Sequence, residues 1–277
     1  MAVFKKAGIV GTGLIGGSIG LALRQKKLAD EIVGTSRHDS SLIRARRMGA
    51  IDRGSRDLRI LSGCDIVILA APVQTILAQA GRIQKLIPQN CIVMDVASTK
   101  AAVVKKAGAS LKRFVGCHPL AGSEKQGIAH ARPDLFKNAA CIITPVKQTD
   151  TTALEAVRRL WVRLGAQPRM MGPAAHDRAL AYASHLPHAI AFALLESIPA
   201  AYLADSPQSL RDMTRIAGSG HEVWNDIFMT NRADLTDAID AFMQSIKAFR
   251  SALSRGDTHS LRRIMARARS KKQRIIP

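Results

Sequence analysis

Ala7-Gly8-Ile9-Val10-Gly11-Thr12-Gly13-Leu14-Ile15-Gly16 sets a short apolar run directly against a glycine-spaced turn and the start of a helical pattern. Residues 7–10 read as a strand, and residues 14–24 as a helix with Ile15, Ile19 and Leu23 on one face. GxGxxG alone is a weak signal; between a strand and a helix it has a physical meaning. The first glycine permits the tight turn and the second lets the backbone approach a pyrophosphate. The third allows helix and strand to pack closely, and the free N–H groups at the helix start favour an anion. Gly11, Gly13, Leu14, Ile15 and Gly16 are therefore predicted to bind a dinucleotide. Pro72, just past the apolar run at 66–70, is expected as a further cofactor contact.

Outward from that turn the same alternation continues. Strands are predicted at 31–35, 66–70, 91–95, 114–116 and 141–144, with a basic helix over 41–48 among the intervening helical stretches. The runs at 66–70 and 91–95 are continuously apolar, as strands buried on both faces are. Strands alternating with helices predict a parallel, doubly wound α/β sheet. After about Thr149 hardly a convincing strand is left, and helices are predicted over 154–164, 174–197, 210–217, 222–231 and 235–254. The expected architecture is an α/β doubly wound (Rossmann) domain over 1–149 and an all-α domain over 150–277.

Composition excludes several classes. An apolar fraction of 47% over 277 residues is enough for a sizeable core and argues against a disordered chain. No run approaches 18 apolar residues, so no membrane span is expected, and the basic start lacks the core of a secretory signal. A cytoplasmic protein is the expectation. Cys64, Cys91, Cys117 and Cys141 form no close pair, which fits neither a zinc site nor a disulfide framework. No metal site is predicted. The formal net charge of +20 is concentrated partly in Arg262-Arg263-Ile264-Met265-Ala266-Arg267-Ala268-Arg269-Ser270-Lys271-Lys272. With only 4% aromatic residues there is little to stack on bases, so this stretch reads as a solvated helical face and no nucleic-acid partner is expected. A field of this sign would still steer an anionic substrate and a phosphate-bearing cofactor inward.

The cofactor type is decided where the second strand ends, at Gly34-Thr35-Ser36-Arg37-His38. NAD sites place a carboxylate there to accept from the ribose 2′-OH, and none is present. Ser36, Arg37 and His38 instead suit a 2′-phosphate, so NADP is expected over NAD.

Two further segments close strands on the side where doubly wound sheets bind ligands: Asp95-Val96-Ala97-Ser98-Thr99-Lys100 and His118-Pro119-Leu120-Ala121-Gly122-Ser123-Glu124. A histidine there can take a hydroxyl proton at neutral pH as hydride leaves. Together with Ser184-His185-Leu186-Pro187-His188 and Asp212-Met213-Thr214-Arg215-Ile216-Ala217, these motifs resemble the prephenate/arogenate dehydrogenase family over essentially the whole chain. The resemblance implies His118 as proton acceptor and Ser98 as the residue that hydrogen-bonds and orients it. It implies Arg215 as partner of a substrate carboxylate, Glu124 as a gate at the pocket mouth, and His185 and His188 as substrate contacts. Ser219 and Trp224 would reach the partner subunit's site in a homodimer. It also implies oxidative decarboxylation of prephenate or arogenate. No acid stands at 216–219 to meet an ammonium group, which favours prephenate. A 3-hydroxyacid dehydrogenase of the same two-domain plan is the rival reading. Lys100 is read as a phosphate contact or a helix-surface lysine, and His176-Asp177 as helix-capping chemistry.

Overall fold

The computed structural model describes residues 2–123 and 125–275, and the chain divides into two compact units between Asn231 and Arg232. The first unit begins β1 (Phe4–Val10), α1 (Leu14–Gln25), β2 (Ala29–Thr35), α2 (Asp39–Arg47), β3 (Arg53–Ser55), β4 (Ile66–Leu69) and α3 (Val73–Gln84). It continues through β5 (Ile92–Asp95), α4 (Ala101–Ser110), β6 (Phe114–Val115), β7 (Cys117–Pro119), β8 (Ala140–Ile143), α5 (Thr151–Leu164) and β9 (Gln167–Met170). Six strands form one sheet in the order β3-β2-β1-β4-β5-β6, and every neighbouring pair is parallel.

The period-2 geometry of the strands divides the core into two layers. Ile66, Ile68, Ile92 and Met94 join Ile19 and Leu23 of α1 and Val157 and Trp161 of α5. Val67, Leu69 and Val93 join Val73, Ile76 and Ile83 of α3 and Val103 and Ala107 of α4. Covering both faces is what a parallel sheet requires, and each large apolar side chain so buried contributes about 1.5–3 kcal/mol. The strand order reverses direction between β1 and β4, so the crevice beyond their carboxyl ends is the natural ligand position.

Several features depart from the sequence reading. The run at 141–144 does not extend the main sheet: β8 pairs antiparallel with β7 and parallel with β9 in a separate three-stranded sheet. β9 was not expected, because Gln167-Pro168-Arg169-Met170 is largely exposed and has no apolar alternation. It is an edge strand, where proline is tolerated. In addition, Ala153, Val157, Leu160, Trp161 and Leu164 of α5 belong to the core of the first sheet. The sheet layers therefore run on to Met170, about twenty residues past the expected boundary at 149/150.

Helices follow: α6 (Pro173–Leu180), α7 (Leu186–Ser197), α8 (Gln208–Thr214) and α9 (His221–Thr230). The continuous helix predicted over 174–197 is interrupted by a π turn at Ala181–His185. Pro187 follows this turn directly and offers no N–H, and the wider turn, closed by the Leu186 N–H on the Ala181 carbonyl, accommodates it. π turns re-aim side chains within a helix, and this one ends on His185. The second unit contains α10 (Arg232–Ser254) and α11 (Thr258–Lys272). Asp257 caps α11 by accepting from the Ser260 N–H at 2.9 Å, and no residue of that basic helix is buried. Among the described residues no helix is long and apolar enough to cross a membrane.

Candidate active site

The glycine turn at the β1–α1 junction fits a dinucleotide for reasons visible atom by atom. Gly11 has φ +97°, and a Cβ there would lie 2.6 Å from the Ala70 carbonyl oxygen at the end of β4. A Cβ on Gly16 would meet the Gly11 carbonyl at 2.0 Å, so neither position admits a side chain. Gly13, the N-cap of α1, faces open space within 4 Å. The helix start has neither a side-chain cap nor an acid in its first turn, so its N–H groups are available to a phosphate. Leu14 and Ile15 are half-buried beside it, and Pro72 is the exposed N-cap of α3 on the β4 side of the crevice. At the end of β2, Ser36 is half-buried, and Arg37 and His38 are exposed. The Ser36 hydroxyl accepts from the His38 N–H at 3.3 Å.

The segment carrying Ser98 is held by a buried ion pair. Asp95 and Lys100 are both fully buried and bonded to each other. The Lys100 ammonium also donates to the Cys117 carbonyl at 2.7 Å. Asp95 accepts from the N–H groups of Ala97 at 2.9 Å and Cys117 at 3.2 Å. Lys100 is thus neither a phosphate contact nor a surface lysine. It ties the carboxyl end of β5 to β7, and with it the turn bearing Ser98 to the strand bearing His118.

His118 lies in β7, opposite Ile142 of β8. Its Nδ1 is 2.9 Å from His176 Nε2, and the two rings meet edge to face with centroids 5.1 Å apart. His176 Nδ1 in turn lies 2.7 Å from Asp177 Oδ1. The Asp177 carboxylate also accepts from the Lys100 N–H at 2.7 Å and the Ala101 N–H at 2.8 Å. His176–Asp177 is indeed capping chemistry, but Asp177 caps α4 rather than its own helix. Ser98 was expected to orient His118; it is half-buried without a hydrogen bond to the ring, whose Nδ1 meets His176. Burial above all, with the neighbouring His176, Lys100 and His185 adding to it, holds the His118 imidazole well below the usual histidine range.

Around this line sits a second set of rings. Asn231 Nδ2 donates to the Asp177 backbone carbonyl at 2.8 Å and lies 3.0 Å from His185 Nδ1. His185 Nδ1 is therefore an acceptor, which puts the proton on Nε2, a buried atom with no protein partner. Burial pushes His185 down to about 4. His188 donates from Nδ1 to the Ser184 carbonyl at 2.9 Å and stacks on Trp224, centroids 3.5 Å apart at 20°. Burial lowers His188 as well, and the Arg215 charge adds to the effect. Arg215 opens a single 3₁₀ turn that leads through Gly218 to half-buried Ser219. Trp224 also meets the His185 ring edge to face, with centroids 6.1 Å apart. α9 is fixed there by Thr99 Oγ1 with Thr230 Oγ1 at 2.9 Å, and by the Gln74 N–H to Asp226 at 3.4 Å. Glu124 lies outside the described residues.

Sequence reasoning missed His176, Asp177 and Asn231 as parts of this cluster. A histidine–aspartate pair beginning a helix was the available signal, and its partner is 58 residues away in the chain.

The chain matches two family models: "Prephenate dehydrogenase, nucleotide-binding domain" over residues 19–169 and "Prephenate dehydrogenase, dimerization domain" over 172–267. It is 33% identical to a prephenate dehydrogenase of Bacillus subtilis, covering 94% of this chain and 73% of that one. It is 32% identical to a cyclohexadienyl dehydrogenase of Zymomonas mobilis, covering 93% and 91%. The structure superposes on the crystal structure of an A. aeolicus prephenate dehydrogenase in complex with hydroxyphenyl propionate and NAD+. That match has TM-score 0.92 and 32% identity, and covers 98% of each chain.

Proposed function

The chain belongs to the prephenate dehydrogenase family, and on that footing we propose that it oxidises and decarboxylates prephenate, with His118 as proton acceptor and NADP as the preferred cofactor. The observation that carries the assignment of roles is the line His118–His176–Asp177, which leaves the outer nitrogen of His118 free for a substrate hydroxyl.

When bound, the nicotinamide supplies the acceptor for the hydride that leaves the carbinol carbon of the ring. His118 takes the hydroxyl proton as that hydride departs. The ring is then a vinylogous β-keto acid. Loss of CO₂ pushes an electron pair onto the carbonyl oxygen, and His118 returns its proton to give the phenol. The driving force is aromatisation, so the protein chiefly positions the ring and compensates charge.

Arg215 suits a bidentate bond to a substrate carboxylate. The unpartnered His185 Nε2–H is a donor that a substrate oxygen would satisfy. Ser98, with no bond to the His118 ring, is assigned to the substrate hydroxyl. The stacked rings of His188 and Trp224 are assigned to the substrate ring; Glu124 is assigned as a gate, and Ser219 and Trp224 as contributors to the partner subunit's site in a homodimer. Gly11, Gly13, Leu14, Ile15, Gly16 and Pro72 are assigned to the cofactor, with Ser36, Arg37 and His38 for a 2′-phosphate, since β2 ends without an acid. The absence of an acid over 216–219 supports prephenate over arogenate; the cyclohexadienyl dehydrogenase relative keeps arogenate as the second substrate to test. The C-terminal family match supports a homodimer. Assaying both substrates with both cofactors tests the reading: the highest kcat/KM is expected for prephenate with NADP, and an arogenate or NAD preference would contradict the corresponding part.

A further inference from the structure

We propose that His176, held by Asp177, is a positioning residue that fixes His118 in the tautomer with its proton on Nδ1, so that Nε2 is the bare nitrogen facing the substrate. The inference deepens the assignment of His118 as proton acceptor and rests on it.

The direction of each hydrogen bond follows from what its neighbours can do. Asp177 receives the backbone N–H groups of Lys100 and Ala101 at 2.7 and 2.8 Å, at the start of α4. A carboxylate at a helix N-terminus, already accepting from two N–H groups, is an acceptor. His176 Nδ1, 2.7 Å from Oδ1, must therefore carry a proton. In neutral imidazole the other nitrogen is then a lone pair, so His176 Nε2 accepts. Its partner at 2.9 Å is His118 Nδ1, which must donate. That leaves His118 Nε2 unprotonated. His176 is fully buried and Asp177 almost so, so solvent competes little for these bonds. Asn231, donating to the Asp177 backbone carbonyl at 2.8 Å, holds the same stretch of α6 from the far side.

The arrangement has a second consequence. If His176 presented a proton on Nε2, His118 Nδ1 would have to accept it, and the base would face the substrate with N–H instead of a lone pair. The accepting state of His118 is thus set two bonds away, by the cap of α4. A packed core histidine would need no such order of donors.

The test compares His176→Leu with His176→Gln, alongside wild type and His118→Asn. Gln can offer an amide oxygen to His118 Nδ1–H; Leu cannot. His176→Leu should lower kcat by about 10²-fold or more while KM for prephenate and the dissociation constant for the oxidised cofactor stay within about threefold. His176→Gln should recover at least about tenfold of that loss. In labelled wild-type protein, ¹⁵N–¹H correlation spectra should show His118 protonated on Nδ1 near neutral pH, a readout that stands even if a variant does not fold. Finding His118 protonated on Nε2, a His176→Leu kcat within about threefold of wild type, or Gln no better than Leu would overturn the proposal. If His118→Asn loses turnover while His176→Leu keeps it, this inference falls alone. If His118→Asn keeps full turnover, the assignment of His118 falls and this inference with it.

Discussion

Replacing Lys100 with Met should be among the most damaging single changes outside the reacting groups, although the side chain touches neither cofactor nor substrate in this account. Lys100 and Asp95 are each fully buried. Without the ammonium group, Asp95 keeps only the N–H groups of Ala97 and Cys117, at 2.9 and 3.2 Å, and the Cys117 carbonyl loses its 2.7 Å donor. Removing one partner of a buried pair leaves the other charge uncompensated and costs about 3–5 kcal/mol. Set against a total stability of about 5–15 kcal/mol, that is a large fraction. For a chain of this size it corresponds to a drop in Tm of roughly 6–20 °C. The assay is thermal unfolding followed by circular dichroism at matched protomer concentration, since an associating protein melts in a concentration-dependent way. Asp95→Asn combined with Lys100→Met should recover part of the loss, because the charge is gone while the amide oxygen still accepts from one of the two N–H groups. A single variant melting within about 2 °C of wild type, or a double variant no better than the single, would show that the buried pair does not hold this part of the fold.

Four further outcomes are expected. Arg37→Ala should lower kcat/KM with NADP by about tenfold or more and leave NAD turnover nearly unchanged, the scale of one lost charge-assisted bond; equal losses with both cofactors would contradict the 2′-phosphate assignment. Gly13→Ala meets nothing within 4 Å and should melt like wild type while losing cofactor affinity, whereas Gly11→Ala, with φ +97° and the Ala70 carbonyl at 2.6 Å, should also be unstable; isothermal titration with melting curves separates the two. Because His118 is held well below the ordinary range, kcat/KM should stay flat from pH 8 to about 6.5 and fall only at lower pH. For stability the sign follows from His185, pushed to about 4 in the folded chain and near 6.5 when unfolded: the unfolded state takes up the proton first, so urea midpoints should decline as pH drops from about 6.5 toward 4. An acid limb at or above 6.5, or midpoints that rise on acidification, would count against these shifts.

The sheet and the cofactor turn were legible because their signals are local. A strand, a glycine spacing and a helix stand within twenty residues, and buried strands such as Ile66–Leu69 need apolar side chains on both faces. β9 was hidden because an edge strand needs no apolar pattern, only a neighbour with free backbone groups, and Gln167–Met170 finds β8. Lys100 was misread for a related reason: a lysine at a helix start is usually solvated, and only the carboxylate ending β5 makes its burial affordable. His118 stood out by its motif, but its ring partner His176 lies 58 residues on, and no periodicity joins the two. The π turn before Leu186 was likewise invisible, since Pro187 announces a disturbed helix without saying how the preceding turn absorbs it.

In the proposed reaction the imidazole at position 118 accepts the proton as hydride leaves a ring that then loses CO₂. The most direct measurement is the stoichiometry of CO₂ released and cofactor reduced from prephenate, by wild type and by His118→Asn, with cofactor affinity measured in parallel. Wild type should release one CO₂ per reduced cofactor, and the variant should keep its cofactor affinity while turnover falls by roughly 10²–10⁴-fold. Cofactor reduction without CO₂, or a variant that turns over like wild type, would contradict the proposed reaction.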